Sequence, residues 1–487
     1  MSAVDFSALP KPVVDDYPDF LTIYNQAWEL AASHIVRNKK GREFMDVAWG
    51  KPPELFEWVW DSCFVALYCR YAPEQFPGMQ SLDNFYELQR QDGYISMTYD
   101  MNTGEEPYPD RINPPLFAWA EWEYYLTTGD DSRFARVVPH IERLMEWIDA
   151  NRRPVQWDKE DDRQLYYFRD CGSSGMDDSP RAPRDPEAGK YFEWVDLSSQ
   201  MVISFRYLAK MHGVLGNAGC SSHWDSRAER LGKTINSKLW CEKTHFYYDR
   251  HISQRWVSTK TAAAFWPLLA GICDEPKKNW LVGHLLDKCE FNQPTPVPSL
   301  SADDPNYSKI GEYWVGGVWP SINYMVTRGL RKAGCAGVAH QIALKYLSAL
   351  ARTYTNITPH TLWECQSPEE DKPGITAYTG ELVKPDFVGW TGVGPIAMLI
   401  ENILGLEVSA PKRRIEWTIH LQGRHGIEGF ALGKLGKVTL LCGHRDSADA
   451  PAKVEIRCEV PMAVVLRCGV RQTVLKVTPG RTVSTSV

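Results

Sequence analysis

Two loops of this sequence hold carboxylates in settings suited to acid–base chemistry. Gly172-Ser-Ser-Gly-Met-Asp-Asp-Ser-Pro-Arg181 sets Asp177 beside Asp178 in a stretch too rich in glycine to be a helix face. Adjacent carboxylates repel, and partial burial raises the pKa of one of them. A carboxyl that keeps its proton near neutral pH is what a general acid requires. The plainer reading is a solvated turn, which Asp, Ser and Pro all favour. The second loop, Pro359-His-Thr-Leu-Trp-Glu-Cys365, presents a single Glu364 after a Trp. A surface Glu in a helix cap is the plain reading there. The neighbourhood argues for more: Tyr378 follows, and then Asp386-Phe-Val-Gly-Trp390-Thr-Gly.

Aromatic–polar clusters recur elsewhere. They are Phe56-Glu-Trp-Val-Trp60-Asp61, Gln91-Asp92-Gly93-Tyr94-Ile95, Glu193-Trp-Val-Asp196 and Glu312-Tyr-Trp314-Val-Gly-Gly-Val-Trp319-Pro. A lone Trp at a helix end is ordinary core. Its repetition before successive helices suggests one shared rim. The 19 Trp, 22 Tyr and 17 Phe exceed what a core of Leu, Ile and Val requires. Rings with an apolar face and a polar edge suit sugars, whose C–H faces stack and whose hydroxyls need partners.

The elements that must position these loops are helical. Periodicity predicts helices near 20–37, 61–72, 78–90, 113–128, 135–152, 195–215, 222–240, 259–271, 275–288, 317–333, 337–354 and 387–404. Ile141, Leu144, Met145 and Ile148, for example, follow the spacing of one buried face. Twelve helices in alternating order close into a ring of six hairpins. The intervals 91–112, 153–193, 289–316 and 355–386 are long, and loops of that length in a compact domain are usually functional. After Leu406 the pattern turns to short β-branched runs such as RIEWTIHLQG and KVTLLCGH, separated by Gly, Pro or Asp. The expectation is an α-helical domain over 1–406 and a small antiparallel β domain over 407–487 that stabilises it.

Other chemistries lack sequence support. The 487-residue chain is 44% hydrophobic and 24% charged, which is globular. A net charge of -7 without a basic block argues against a nucleic-acid partner. There is no Gly-rich phosphate loop of the form GxxxxGK[ST], no HExxH helix, no EF-hand loop and no Gly-x-Ser-x-Gly elbow. The 12 cysteines form no CxxC pair. No cofactor or metal is therefore expected. No apolar run approaches about 18 residues, so no membrane span is expected. The acidic, Pro-rich start does not read as a signal peptide, and the expected location is the cytoplasm.

SGMDDSPR, LWEC, Trp60-Asp61-Ser62, YWVGGVWPSINYMVTRGL and DFVGWTGVGP lie between about residues 50 and 405. Together, and in the right order along the chain, they resemble the inverting α-glycosidases that include processing α-glucosidases, trehalases and mannosylglycerate or glucosylglycerate hydrolases. The size is most similar to the mannosylglycerate-hydrolase-like branch. The resemblance implies an (α/α)6 toroid, with Asp177 as general acid and Glu364 as general base. The chain departs from the family at Val315 and Gly317, where YWRGPVW has Arg and Pro, and the trehalase signature QWDxPxGWAP is absent.

On this reading the partner is a small sugar substrate, one or two sugars long, taken in a closed pocket. Trp60 and Asp61 hold hydroxyls of the terminal sugar. Trp314, Trp319 and Trp390 supply stacking walls. Gln91, Asp92, Gly93, Tyr94 and Tyr378 complete the binding surface, and Arg181 orients Asp177 or meets an anionic aglycone. The alternatives are a sugar epimerase or lyase on the same toroid, which would favour His as acid and base, and a non-catalytic carbohydrate-binding protein, which needs neither Asp177 nor Glu364.

Overall fold

The computed structural model describes residues 4–47, 55–155, 165–182, 185, 187–377 and 379–487. Among the described residues twelve helices of five residues or more follow one another: α1 (Pro18–Ser33), α2 (Val59–Cys69), α3 (Gly78–Leu88), α4 (Phe117–Thr128), α5 (Phe134–Asn151), α6 (Val195–Val214), α7 (Ala218–Lys238), α8 (Trp266–Ala270), α9 (Glu275–Leu286), α10 (Pro320–Lys332), α11 (Ala336–Asn356) and α12 (Gly394–Ile403). The even-numbered helices pack in sequence. α2 meets α4, α4 meets α6, α6 meets α8, α8 meets α10, α10 meets α12, and α12 returns to α2. That closed inner ring, sheathed by the odd-numbered helices, is the (α/α)6 toroid.

The two rings differ because their surroundings differ. Inner helices have neighbours on every side, so all eleven residues of α2 and all ten of α12 are buried. Outer helices need one apolar stripe. In α5 that stripe includes the predicted Ile141, Leu144, Met145 and Ile148. Two inner helices are shorter than expected. α8 has five α-helical residues after a 3-10 turn over Ala262–Phe265 and stops at left-handed Gly271. α12 is wound as a π-helix, and Phe387–Trp390 precede it as loop.

Beyond Leu406 two sheets form. Strands β1 (Lys11–Val14), β2 (Leu406–Ser409), β3 (Arg414–Thr418), β4 (His425–Ala431), β5 (Lys437–Cys442), β6 (Lys453–Cys458), β7 (Met462–Cys468), β8 (Arg471–Val477) and β9 (Thr482–Ser486) are ordered β1-β4-β5-β6-β9 and β2-β3-β7-β8. Two details differ from the sequence reading. β1 comes from the N-terminal region yet pairs with β4, Pro12 facing Ile427. The unit is also not wholly antiparallel: β3 and β7 run parallel, Ile415 facing Val464. A parallel pair needs a long crossover, and the chain spends it building β4, β5 and β6 of the other sheet. β2 packs on α4 and α12, and Phe430 lies 5.8 Å from the Tyr71 ring just beyond α2. The β unit thus covers the C-terminal end of the inner ring. Among the described residues no helix is long and apolar enough to cross a membrane.

Candidate active site

The N-terminal ends of the inner helices form the opposite rim. Trp58, Trp194 and Trp319 are the residues that cap α2, α6 and α10, and Trp390 precedes the turn into α12. The repeated tryptophans of the sequence therefore mark one rim, where Trp58 and Trp390 line a cavity and Trp194 and Trp319 are buried behind it. That cavity has a volume of about 510 Å³, inside the range of small-ligand sites. Trp58, Trp60, Asp61, Tyr108, Arg111, Asn113, Asp170, Asp177, Asp178, Tyr313, Trp314 and Trp390 are among its lining residues.

The SGMD loop is shaped by its own backbone. Gly172–Ser174 form a 3-10 turn that ends at Gly175, with φ 76°. A Cβ at Gly175 would stand 3.3 Å from the Trp60 indole, so glycine serves both the left-handed turn and the close approach. Asp170 ties down the start of the loop. Its Oδ1 accepts hydrogen bonds from the Ser173 N–H and Oγ, both 2.8 Å, and its Oδ2 meets Arg111 Nη2 at 2.8 Å. Asp178 accepts the Trp314 N–H at 2.9 Å and so links this loop to the YWVGG loop. Asp177 is left facing the cavity.

Glu364 approaches from the other side. Its N–H donates to the Lys384 carbonyl at 3.0 Å, and its own carbonyl accepts the Trp390 indole N–H at 2.8 Å. Thr391 Oγ1 donates to the Trp363 carbonyl at 2.9 Å. These bonds turn the Glu364 side chain inward, where it is 2% exposed. Tyr313 Oη donates to its Oε1 at 3.0 Å and the Lys384 N–H to its Oε2 at 3.4 Å.

The electrostatics follow from burial of like charge. Burial in the cavity wall, with Asp178, Glu364 and Asp170 nearby, pushes Asp177 up to about 7. Its side chain is exposed and lines the cavity, so a substrate can touch it while the surrounding protein still disfavours its charge. Burial also raises Glu364 to about 7, against hydrogen bonds from Tyr313 and the Lys384 N–H and the Lys384 charge. Asp177 in the cavity wall and Glu364 behind Tyr313 are thus both poised near neutrality, the condition for proton donation and acceptance. The indole N–H groups of Trp58 and Trp60 are buried without a protein acceptor, and sugar hydroxyls can supply one. Among the described residues no group of three His, Cys, Asp or Glu is placed to hold a metal ion.

Of the residues singled out from sequence, Asp177, Trp60, Asp61, Trp314 and Trp390 line the cavity. Glu364 reaches its edge through Tyr313. Others stand elsewhere. Trp319 is fully buried behind Trp314, stacked on it at 4.0 Å and 3°. It backs the wall. Arg181 is 1% exposed, bonded to Asp196 at 2.6 Å and paired with Asp249 at 3.3 Å. It clamps the SGMD loop onto α6, where two buried carboxylates claim its charge. Gln91 and Asp92 lie exposed on a turn, where Asp92 accepts the Trp147 indole N–H. Gly93 is packed against Arg143. Tyr94 is buried, its hydroxyl donating to the Arg111 carbonyl at 2.8 Å. That turn supports Arg111 from behind instead of binding. Tyr378 lies outside the described residues. The sequence reading missed Tyr108, Arg111, Asn113 and Asp170. The first two fall in the long loop 91–112, whose length was the available signal.

Residues 54–379 match the family described as the mannosylglycerate hydrolase MGH1-like glycoside hydrolase domain. The chain belongs to this family. An uncharacterized protein of Borreliella burgdorferi is 26% identical over 438 residues, covering 87% of this chain and 88% of its own. Mannosylglycerate hydrolase MGH1 of Selaginella moellendorffii is 22% identical over 403 residues, covering 67% and 79%. In fold, the chain is similar to the GH63 mannosylglycerate hydrolase of Thermus thermophilus in complex with glucose. That match has a TM-score of 0.62 at 20% identity and covers 77% of this chain and all of the other. The family carries the activity class: this MGH1-like chain is a glycoside hydrolase acting on α-linked sugars.

Proposed function

We propose that this protein releases a terminal α-linked glucose or mannose from a small glycoside, with inversion at the anomeric carbon. The observation that carries the reading is the pairing of Asp177 and Glu364. They come from loops 187 residues apart (364 − 177), yet Glu364 adds to the repulsion that keeps Asp177 protonated. Asp177, protonated, donates to the glycosidic oxygen. Glu364, ionised, takes a proton from the water that attacks the opposite face of the sugar. Trp60, Asp61 and Trp314 hold the terminal sugar, and Trp58, Tyr108 and Arg111 meet the aglycone. The one-sided cavity suits a short substrate over a polymer. Relatives named as mannosylglycerate hydrolases make a glycosyl conjugate of a small hydroxy acid the first substrate to try. The twelve free thiols suit a reducing compartment such as the cytoplasm.

The test is a panel of α-glucosides and α-mannosides, glycerate conjugates included, followed by NMR of the first product formed. The expected product is the β-anomer of the free sugar. The α-anomer appearing first would overturn the inverting assignment, and faster release from the middle of long α-glucans would overturn the short-substrate assignment.

A further inference from the structure

The SGMD loop is held at its far end by more charge than a clamp requires. Arg181 closes the loop, and its three guanidinium nitrogens face three different groups. Nη2 donates to Asp196 Oδ2 at 2.6 Å, Nε lies 3.3 Å from Asp249 Oδ2, and Nη1 reaches the Met176 sulfur at 3.8 Å. The guanidinium carbon stands 4.5 Å from the centre of the Trp194 ring. All five residues are buried. Met176 directly precedes Asp177 in the chain, so its anchoring bears on where that carboxyl points.

Asp249 arrives from outside the loop. Phe192–Glu193 pairs antiparallel with Arg250–His251, Glu193 facing Arg250, and this brings Asp249 to the start of α6. Trp194, the cap residue of α6, offers no side-chain oxygen to the first N–H groups of the helix. Asp249 Oδ1 accepts the Val195 N–H at 2.8 Å, and Asp196 Oδ1 accepts the Leu197 N–H at 2.8 Å. One guanidinium balances one carboxylate, so the second leaves a buried negative charge. The helix N-terminus offsets only part of it. Burial and Asp196 outweigh Arg181 and push the Asp249 carboxyl above its ordinary range. A neutral Asn would cap α6 as well. The second charge therefore does something other than stabilise. Carboxylates on two different nitrogens fix the plane of the fork, which leaves Nη1 aimed at Met176.

Resting on the assignment of Asp177 as general acid, we propose that Asp249 is a positioning residue for that acid. Through Arg181 and Met176 it holds Asp177 where its proton meets the glycosidic oxygen.

A misplaced general acid slows the departure of an alcohol, which needs the proton, and spares a leaving group that does not. The experiment compares Asp249→Asn with the parent on an alkyl α-glycoside and on the α-glycosyl fluoride of the same sugar, glucose or mannose. Asp177→Asn is the control. For Asp249→Asn, kcat on the alkyl glycoside should fall roughly 10-fold with KM changed less than about threefold, while the fluoride should lose less than about twofold. Since the charge removed is a destabilising one, the thermal midpoint at pH 8 should not fall. Arg181→Lys keeps the charge and loses the fork; it should show the same substrate dependence, and it serves if Asp249→Asn does not fold. Equal losses on the two substrates, or no loss on either, overturn the proposal. If Asp177→Asn itself shows no dependence on the leaving group, the acid assignment fails. Dependence at Asp177→Asn without it at Asp249→Asn rejects Asp249 alone.

Discussion

The two ends of the inner ring bury charge in opposite ways. At the C-terminal end, beneath the β unit, Arg70 follows α2, Glu123 lies on α4, Arg328 on α10 and Glu401 on α12. Arg70 meets Glu123 at 2.6 Å and Glu401 at 2.7 Å; Arg328 meets the same two at 2.6 and 2.8 Å. Tyr71 and Tyr324 add donors to Glu401 at 2.7 and 2.9 Å. Two cations face two anions, and the cluster is neutral. Burial alone would raise Glu123, but Arg328 and Arg70 outweigh it and hold the carboxyl at about 2. At the N-terminal end Asp61, Asp170, Asp177 and Asp178 share one cavity, and among the described residues a single cation lines it, Arg111, which Asp170 already engages. There neighbouring carboxylates add to the effect of burial, and Asp177 rises to about 7. The lesson is that burial makes structure when charges are matched and reactivity when they are not.

Three measurements would break or sharpen that contrast. The largest effect is expected at the unmatched end. Asp177→Asn and Glu364→Gln should each lower kcat by about 10²–10⁴-fold while leaving the circular dichroism spectrum unchanged and the fold no less stable than the parent's. Near-normal turnover in either would remove that residue from the chemistry.

At the matched end the effect should fall on stability. Arg328→Met leaves Glu123 and Glu401 with half their cationic partners and should cost about 3–5 kcal/mol, read from the denaturant midpoint. Its kcat per folded molecule should stay close to the parent's. An unchanged midpoint would mean that the cluster is not a structural clamp.

The smallest effect links the two ends through pH. Asp177 has a folded pKa raised above its unfolded value, so the stability it contributes is full below about pH 4 and is lost as pH rises through about 7. Asp177→Asn removes that loss and should raise Tm at pH 8 relative to the parent, with little difference at pH 4. Glu123 has the opposite sign: its contribution is present above about pH 4.5 and is lost as pH falls toward 2. Glu123→Gln should therefore destabilise at pH 7 and lose its effect in strong acid. Equal Tm shifts at pH 4 and pH 8 for Asp177→Asn would contradict the raised pKa.

What the sequence determined by itself was local or chemical. The helix periodicities, the switch to β-branched runs after Leu406 and the two carboxylates in aromatic loops are written in neighbouring residues, because a helix or strand face is set by spacing along the chain. Tertiary structure decided which of those residues meet. Trp314 and Trp319 are the same residue type five positions apart, yet one lines the cavity and the other stacks behind it. Arg181 sits in the most telling motif but is drawn away by Asp196 and Asp249, which lie 15 and 68 positions further on. Tyr94 looked like a binding residue and instead props the Arg111 carbonyl. Tyr313 gained its place against Glu364 only through a left-handed backbone held by Ile375, Gly317 and Trp319. Each outcome depends on six hairpins closing into a ring. Closure brings loops from distant parts of the chain to one rim, and the partners that settle each side chain's direction and charge arrive from those loops, beyond the reach of any local pattern.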